Sequence, residues 1–197
     1  LQTFCENNTI PLVVKSFSQE TGKTLDSWLQ EKKVMPCTLC GTLRRHLLNK
    51  FSKEFDLLAT GHNLDDEAQA ILMNLFRANS SLFFRLGPKS SVKQDLVPRI
   101  KPLYYLTEKE IMTYAYVHGL VTSFSECPNA SIAYRAKIRT VLNSYEETHP
   151  GTKMNIVQHY LEIKEKNRLS ETRTLSSCQE CGEPSKDAMC QTCKIMQ

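Results

Sequence analysis

The chain has 197 residues with a formal net charge of +4; 41% of the residues are hydrophobic and 23% are charged. These proportions exclude a disordered or fibrous protein and suit one sizeable domain with a small appendage. No stretch approaches the roughly 18 unbroken apolar residues of a membrane span, and no signal peptide opens the chain. Closely spaced cysteines without secretory features predict a cytoplasmic protein with no membrane partner.

Hydrophobic patterning predicts an α/β domain. Three apolar runs are typical of short buried strands: Ile10–Val14, Leu57–Thr60 and Arg99–Leu103. Helical patterns are predicted over Thr42–Phe55, Glu67–Phe76, Thr107–His118, a basic stretch after Pro128 and Met154–Glu165, and Thr24–Lys33 is predicted as a short helix or a turn. Residues 78–97 and 124–128 are predicted as loops. A strand, a glycine turn at Gly61 and a helix that starts with carboxylates form a recurring ligand-binding junction of parallel sheets.

Four cysteines close the chain as two Cys-x-x-Cys pairs: Cys178, Cys181, Cys190 and Cys193. A tetrahedral zinc site takes four ligands, and paired Cys-x-x-Cys knuckles supply them from two tight turns. We therefore predict a structural zinc finger over residues 178–197. The polar stretch 167–177 is predicted to link it to the main domain, residues 1–166.

Four further cysteines remain; Cys5 is predicted to be a buried helix residue, and the other three are candidate ligands. Cys37 and Cys40 stand at the head of the predicted helix Thr42–Phe55, where a helix N-terminus lowers thiol pKa, and Cys127 directly precedes Pro128. A 4Fe–4S cluster, which commonly uses a Cys-x-x-Cys pair and a remote Cys before Pro, is one interpretation. Zinc, with His46 or Cys127 as a partner, is a second. A redox disulfide is the third and least favoured, because the Arg-rich surroundings do not resemble a thioredoxin-like unit.

Basic residues cluster along the chain. They are Arg44, Arg45, Arg77, Arg85, Lys89, Arg99, Lys101, Arg135, Lys137 and Arg139. A solvated surface explains them as well as a nucleic acid does. Arg135 and Arg139 share a helix face without a carboxylate one turn away, so they should face a phosphate or an acidic neighbour. Likewise, the polar residues 62–67 after Gly61 are either ligand-binding groups or simple turn and helix-dipole residues.

Four motifs occur in an order that resembles the tRNA 2-thiouridine synthetases of the TtuA/NcsA type, within the PP-loop ATP-pyrophosphatase superfamily. The motifs are Pro36-Cys-Thr-Leu-Cys-Gly-x-x-Arg-Arg, Ala59-Thr-Gly-His-Asn-Leu-Asp-Asp-Glu-Ala-Gln, Glu126-Cys-Pro-Asn-Ala with Arg135-x-x-x-Arg139, and the terminal four-Cys knuckle. The resemblance spans nearly all of the chain. It implies a Rossmann-like PP-loop parallel sheet flanked by helices, followed by a small zinc knuckle.

The resemblance also implies an activity, ATP-dependent 2-thiolation of a tRNA uridine. ATP with Mg²⁺ would adenylate the uracil O2, and sulfur would replace it. Cys37, Cys40 and Cys127 would hold a 4Fe–4S cluster with one open iron able to hold hydrosulfide, although a persulfide on Cys37 or Cys127 suits the same thiols. The sulfur donor would be sulfide or a thiocarboxylated ubiquitin-like protein, and a homodimer is implied by analogy.

Residue roles follow from the same resemblance. Arg44 and Asp66 would be catalytic together with the three cysteines. The nucleotide pocket would be lined by Gly61, His62, Asn63 and Asp65, and tRNA would be bound by Arg45, Arg135, Lys137 and Arg139.

One departure from the family is large. The Ser-Gly-Gly-x-Asp-Ser phosphate loop, its strand and an N-terminal zinc finger do not occur in these 197 residues. We therefore expect a longer natural polypeptide, and weak ATP binding by the chain as written. A non-catalytic tRNA-binding scaffold is the competing interpretation. A tRNA 2-thiocytidine synthetase is a further one, less favoured because those enzymes usually lack the terminal knuckle.

Overall fold

A computed structural model describes residues 1–90, 96–120, 126–167 and 175–197. Their helices and strands, in chain order, are α1 (Gln2–Asn7), α2 (Phe17–Thr21), α3 (Leu25–Glu31), α4 (Pro36–Phe51), β1 (Leu58–Ala59), α5 (Leu64–Phe76), α6 (Ser80–Phe83), β2 (Arg99–Ile100), α7 (Glu108–Val117), α8 (Tyr134–Thr148), α9 (Thr152–Lys166), β3 (Ser176–Ser177), β4 (Pro184–Ser185) and α10 (Gln191–Met196). The chain divides into two compact units, Leu1–Leu48 with Gln191–Gln197, and Asn49–Cys190. None of the described helices is both long and apolar enough to cross a membrane.

The first unit is helical and has a small core. Trp28, Leu39 and Leu43 are its buried residues. The segment Thr24–Lys33, predicted as a short helix or a turn, forms the helix α3, and the Thr24 side chain caps it by accepting a hydrogen bond from the Ser27 backbone N–H. Such a cap satisfies one of the donors that the first turn of a helix leaves without a partner.

Helix α4 begins six residues earlier than predicted, at Pro36. Proline is favoured in the first helical turn because its φ is already helical and its missing N–H would have no partner there. Leu39, Leu43 and Leu47 form the buried face, whereas Leu48 is exposed. Cys37 and Cys40 therefore lie inside the first turns of the helix and not before it.

The strand predicted over Ile10–Val14 is wrong. The segment carries no strand, and Val13 and Val14 are 72% and 75% exposed. An apolar run forms a strand only where a neighbouring strand takes up its backbone N–H and C=O groups. Within the described parts of the chain, no strand pairs with this segment.

The second unit contains the parallel strand pair. β1 and β2 pair in parallel, with Leu58 opposite Arg99 and Ala59 opposite Ile100, so two predicted strands are confirmed in shortened form. Helix α5 follows β1 directly and packs against α8 and α9. The core is formed by Leu64, Ala68, Ile71, Tyr104, Ile138, Leu142, Val157 and Tyr160. Because α5 is the central element of this core, its amino-terminal end is rigidly held beside the strands.

The remaining predictions hold with small shifts. Thr107 and Glu110 form a capping box at the start of α7, and α9 starts after Gly151, whose φ of 90° lies in the left-handed region. The predicted loop 78–97 contains the short helix α6, and its residues 91–95 lie outside the described residues. The same holds for residues 124 and 125 of the loop before Pro128 and for 168–174 of the predicted linker.

Candidate active site

The loop at the carboxyl end of β1 leads directly into a capped helix. The Asn63 side chain accepts from the Asp66 backbone N–H at 2.9 Å, and the Asp66 carboxylate accepts from the Asn63 backbone N–H at 3.2 Å. This reciprocal capping box explains why α5 begins at Leu64 and not, as predicted, at Glu67. A Cβ placed on Gly61 would meet no atom within 4 Å, so the backbone here is open to a ligand.

Asp66 faces the accessible side of this junction. Its second carboxylate oxygen accepts from Arg135 Nη1 at 2.9 Å, and the Asp66 and Arg135 side chains are 29% and 38% exposed. The sequence predicted that Arg135 faces either a phosphate or an acidic neighbour, and in the structure its neighbour is the carboxylate of Asp66. The pair leaves a partly exposed carboxylate of fixed direction beside the open backbone at Gly61.

His62 stands among charged groups at the same strand end. Its Nδ1 lies 2.9 Å from Thr60 Oγ1. Burial lowers the pKa of His62, and the field of Lys101 acts in the same direction, while the carboxylate of Asp66 opposes them. The imidazole is therefore held towards its neutral form, in which one nitrogen can accept a hydrogen bond.

Glu67 and Lys101 form an ion pair across the junction. Lys101 Nζ lies 2.5 Å from Glu67 Oε1, and the Gly87 backbone N–H donates to Glu67 Oε2 at 3.3 Å. The Glu67 side chain is 3% exposed, so its charge is almost fully withdrawn from water. Lys101, which the sequence offered only as one of many basic residues, thereby ties the end of β2 to α5.

Asp65 points the other way, into the core between helices. One oxygen pairs with Lys153 Nζ and the other accepts from the Glu108 backbone N–H at 2.7 Å. Lys153 Nζ also donates to Asn143 Oδ1 at 2.8 Å, and Asp65 and Lys153 are only 4% and 7% exposed. This geometry does not favour the prediction that Asp65 binds ATP. The sequence does not predict that Lys153 is buried, because a lysine directly after Pro-Gly-Thr belongs to no periodic apolar pattern.

In the first unit, Cys37, Cys40 and Arg44 share one face of α4, since residues three and four apart are neighbours on a helix. Arg44 Nη2 donates to Cys40 Sγ at 3.5 Å. The guanidinium of Arg45 lies 3.4 Å from where a Cβ on Gly41 would stand, so the missing side chain makes room for it. Both thiols are free, with Cys37 exposed and Cys40 partly buried.

In the second unit, Cys127 is a free, exposed thiol at the start of a turn. Its backbone carbonyl accepts from the Ala130 N–H at 2.8 Å, and Pro128 occupies the second turn position, where proline is favoured. Arg139 Nη1 lies 3.9 Å from Glu126 Oε1, a weak exposed pair. Lys137 is exposed on the same helix, α8.

The four terminal cysteines are brought together. The sulfur atoms of Cys178, Cys181, Cys190 and Cys193 all lie within 4.8 Å of one another, an arrangement that fits a metal ion. Backbone N–H groups of Cys181 and Cys190 lower the pKa of Cys178 to about 6, which favours the thiolate that metals bind. The antiparallel pair β3–β4 and Gly182, with φ of 72°, shape the first knuckle.

A parallel strand pair whose carboxyl end leads into a capped, carboxylate-bearing helix is typical of the ligand-binding junction of α/β proteins. The family model described as "PP-loop domain" matches residues 1–145. The chain therefore belongs to the PP-loop family, and the predicted family and fold class are confirmed.

Individual relatives are similar over most of the chain. It is 39% identical over 170 residues to a tRNA-5-methyluridine(54) 2-sulfurtransferase of Pyrococcus horikoshii, covering 81% of this chain and 53% of the relative. It is 34% identical to the tRNA 2-thiolation protein NcsA of Haloferax volcanii, covering 92% and 61%. Among solved structures, the U34-tRNA thiolase NcsA from Methanococcus maripaludis with its 4Fe–4S cluster matches with a TM-score of 0.81 and 33% identity, covering 98% of this chain and 62% of that one. The chain thus spans about half to three fifths of these relatives.

Proposed function

We propose that the protein is an ATP-dependent tRNA uridine 2-sulfurtransferase. One observation carries the proposal: 98% of the chain matches a U34-tRNA thiolase that has a 4Fe–4S cluster, and besides its terminal cluster and the buried Cys5 the chain has free thiols at Cys37, Cys40 and Cys127. In the reaction, the uracil O2 attacks the α-phosphate of ATP and pyrophosphate leaves. Sulfur then replaces the adenylated oxygen, and AMP leaves.

The junction after β1 supplies the nucleotide side of this chemistry. The accessible backbone at Gly61 lets ATP approach closely, with His62 and Asn63 beside it. Asp66 has a carboxylate whose direction is fixed by Asn63 and Arg135, which suits it to orient Mg²⁺ or to move a proton at the uracil. Asp65 is buried and paired with Lys153 and the Glu108 backbone N–H, so we assign it to holding the first turn of α5 in place and not to binding ATP.

The sulfur side of the chemistry is assigned to Cys37, Cys40 and Cys127. These residues fit an iron–sulfur cluster as a donor set, since all three are free thiols that are not fully buried, and the Arg44 guanidinium donates a hydrogen bond to the Cys40 sulfur. A 4Fe–4S cluster on three thiolates would supply sulfur activation at its fourth iron. A persulfide on Cys37 or Cys127 is the alternative that the same residues permit; it would need a donor of sulfane sulfur in place of sulfide or a thiocarboxylate, and after sulfur transfer the carrier cysteine would form a disulfide with a second of these thiols.

We assign structural zinc to the terminal cysteines. Zn–S bonds of about 2.3 Å in a tetrahedron place sulfur atoms about 3.8 Å apart, and Cys181 Sγ lies 3.7 Å from Cys190 Sγ. Four thiolates leave no open coordination position, so this site would stabilise the fold and not take part in the reaction.

The partners follow from the same reaction. Lys137, Arg139 and Arg45 are exposed cations suited to tRNA phosphates, while Arg135 is assigned mainly to Asp66. We further propose a sulfide or thiocarboxylate donor, a homodimer and a cytoplasmic location. Support for the location comes from Drosophila relatives named cytoplasmic tRNA 2-thiolation protein 1.

The deciding experiment is metal analysis with Mössbauer spectroscopy on protein purified without oxygen. We expect about four iron atoms per chain, and Cys127→Ala should lose the iron and the thiolation of tRNA but keep zinc. Cys5→Ala, which changes a buried cysteine of α1, is the matched control and should keep both metals. Zinc without iron in the unchanged protein would reject the cluster, and tRNA thiolation by such protein would favour the persulfide route.

A further inference from the structure

Helix α8 starts with a tyrosine that is stacked against an arginine. The guanidinium carbon of Arg77, the residue that ends α5, lies 4.1 Å from the centre of the Tyr134 ring. Tyr134 is nevertheless 39% exposed, and Arg77 is exposed as well. The planar cation supports the ring in one orientation while part of the ring stays accessible. We refer to these two residues as the Tyr134–Arg77 platform.

Positive charge around the platform is not neutralised. Among the described residues, neither Arg77 nor Lys137 pairs with a carboxylate, although Arg135 and Arg139 on the same helix do. Exposed aromatic rings beside uncompensated cations are what sequence-tolerant binding of single-stranded nucleic acid uses, because every base has a π-face and every nucleotide has a phosphate. An exposed tyrosine alone would not suffice: Tyr116 on α7 is 76% exposed, and none of the described cations is stacked on it.

We propose that the Tyr134–Arg77 platform stacks an unpaired base of the tRNA substrate, while Lys137 contacts a neighbouring phosphate. The proposal rests on the proposed function. It adds which feature of the tRNA the protein recognises, namely a base that is splayed out of a loop. Unstacked loop bases are the usual targets of proteins that act on RNA. Tyr134 directly precedes Arg135, the partner of Asp66, so the platform is continuous in sequence with the candidate active site.

The adenine of ATP is a poorer occupant. Arg77 follows the carboxyl end of α5, whereas Gly61 and Asn63 precede its amino end. The backbone of a 13-residue helix is about 20 Å long, so Arg77 and the loop at Gly61 extend from opposite ends of α5. The platform therefore belongs to the polynucleotide.

The test measures the affinity of the full chain for an unmodified tRNA transcript at several salt concentrations. Tyr134→Leu should weaken binding about 5- to 150-fold, the range expected for one stacked base, without changing the salt dependence. Lys137→Ala should instead lower the slope of log K against log salt by about 1, because one phosphate contact is lost. Tyr134→Phe, which keeps the ring, and Tyr116→Leu, the exposed tyrosine without a cation, should both bind like the unchanged chain.

A fluorescent base analogue gives a second readout. 2-Aminopurine placed in turn at each loop position should be quenched by the unchanged chain at one position, and Tyr134→Leu should abolish that quenching. Unaltered affinity and quenching in Tyr134→Leu would overturn the proposal, as would a loss confined to ATP binding. No binding of tRNA by the unchanged chain would reject the proposed function itself, whereas normal binding by Tyr134→Leu rejects only the platform.

Discussion

At the scale of single residues, two adjacent carboxylates have opposite surroundings. Asp66 is partly exposed and shares its charge with a partly exposed arginine, whereas Asp65 is buried with Lys153. A buried ion pair is costly to form, because both charges leave water, but it is costlier to break, because the survivor has no partner. The Asp65–Lys153 pair also accepts the first backbone N–H of α7, so it fixes where three helices meet α5.

We predict that Lys153→Met lowers the free energy of unfolding by about 3–5 kcal/mol, because it leaves the Asp65 carboxylate buried without a countercharge. Urea unfolding of the unchanged and altered chains measures this difference. The double variant Asp65→Leu with Lys153→Met is the matched control and should be less destabilised than Lys153→Met alone. A loss below about 1 kcal/mol in the single variant would show that water reaches Asp65.

His62 gives a pH-dependent prediction. Its pKa in the folded chain is lowered from 6.5, first by burial, so as pH falls the unfolded chain takes up the proton before the folded chain does. The contribution of neutral, folded His62 to the stability of the chain is therefore fully present above about pH 6.5 and decreases as the pH falls through that value. His62→Asn should therefore flatten the decrease of stability between about pH 7 and 5, measured by urea unfolding. NMR titration of the His62 ring should give a pKa below that of a model peptide, and an equal or higher value would contradict the argument.

At the scale of elements, the amino-terminal turn of α5 is where structure and proposed function meet. Asn63 caps the helix and also holds the Asp66 carboxylate through the reciprocal hydrogen bond. Three carboxylates, Asp65, Asp66 and Glu67, lie in this first turn, where the helix dipole favours negative charge. The three carboxylates of this turn therefore have different surroundings: Asp65 is buried in an ion pair with Lys153, Asp66 is partly exposed, and Glu67 is buried beside Lys101.

We predict that Asn63→Ala lowers the free energy of unfolding by about 1 kcal/mol, the usual value of an N-cap. Asn63→Ser keeps an acceptor at the cap and should lose at most a few tenths of that. Thiolation of tRNA by Asn63→Ala should fall further than its stability accounts for, because the Asp66 backbone N–H loses its acceptor and the first turn, which positions the Asp66 carboxylate, is held less firmly. Equal activity in the two variants, under conditions where both are folded, would remove the cap from the mechanism.

At the scale of the whole molecule, the terminal cysteine cluster compensates for a small core. Within the second unit, Glu183 of the first knuckle is buried and pairs with Lys53, at 2.5 Å. The hairpin around it has only two residues in each strand, and such a hairpin is not stable in water by itself. Bound metal would therefore contribute directly to the stability of this region.

We predict that Cys178→Ser loses zinc and unfolds at a lower temperature while it retains the iron expected at Cys37, Cys40 and Cys127. Chelation of zinc from the unchanged protein should lower the thermal midpoint in the same way. Calorimetry with metal analysis on both samples measures this. A zinc-free Cys178→Ser variant that is as stable as the unchanged protein, yet inactive, would indicate a catalytic and not a structural knuckle.

The sequence by itself determined the features that depend on local chemistry. The four-cysteine spacing, the Thr107–Glu110 cap and the strand–glycine–carboxylate junction were all predictable, because each is defined by residues close together in the chain. Only the tertiary structure decided which way each charge points. Asp65 and Asp66 are neighbours in sequence, but their partners Lys153 and Arg135 are 88 and 69 residues away. Ile10–Val14 likewise has the residues of a strand, and the lack of a pairing neighbour among the described residues decided otherwise. Burial and pairing are properties of what surrounds a residue, and distant parts of the chain supply those surroundings.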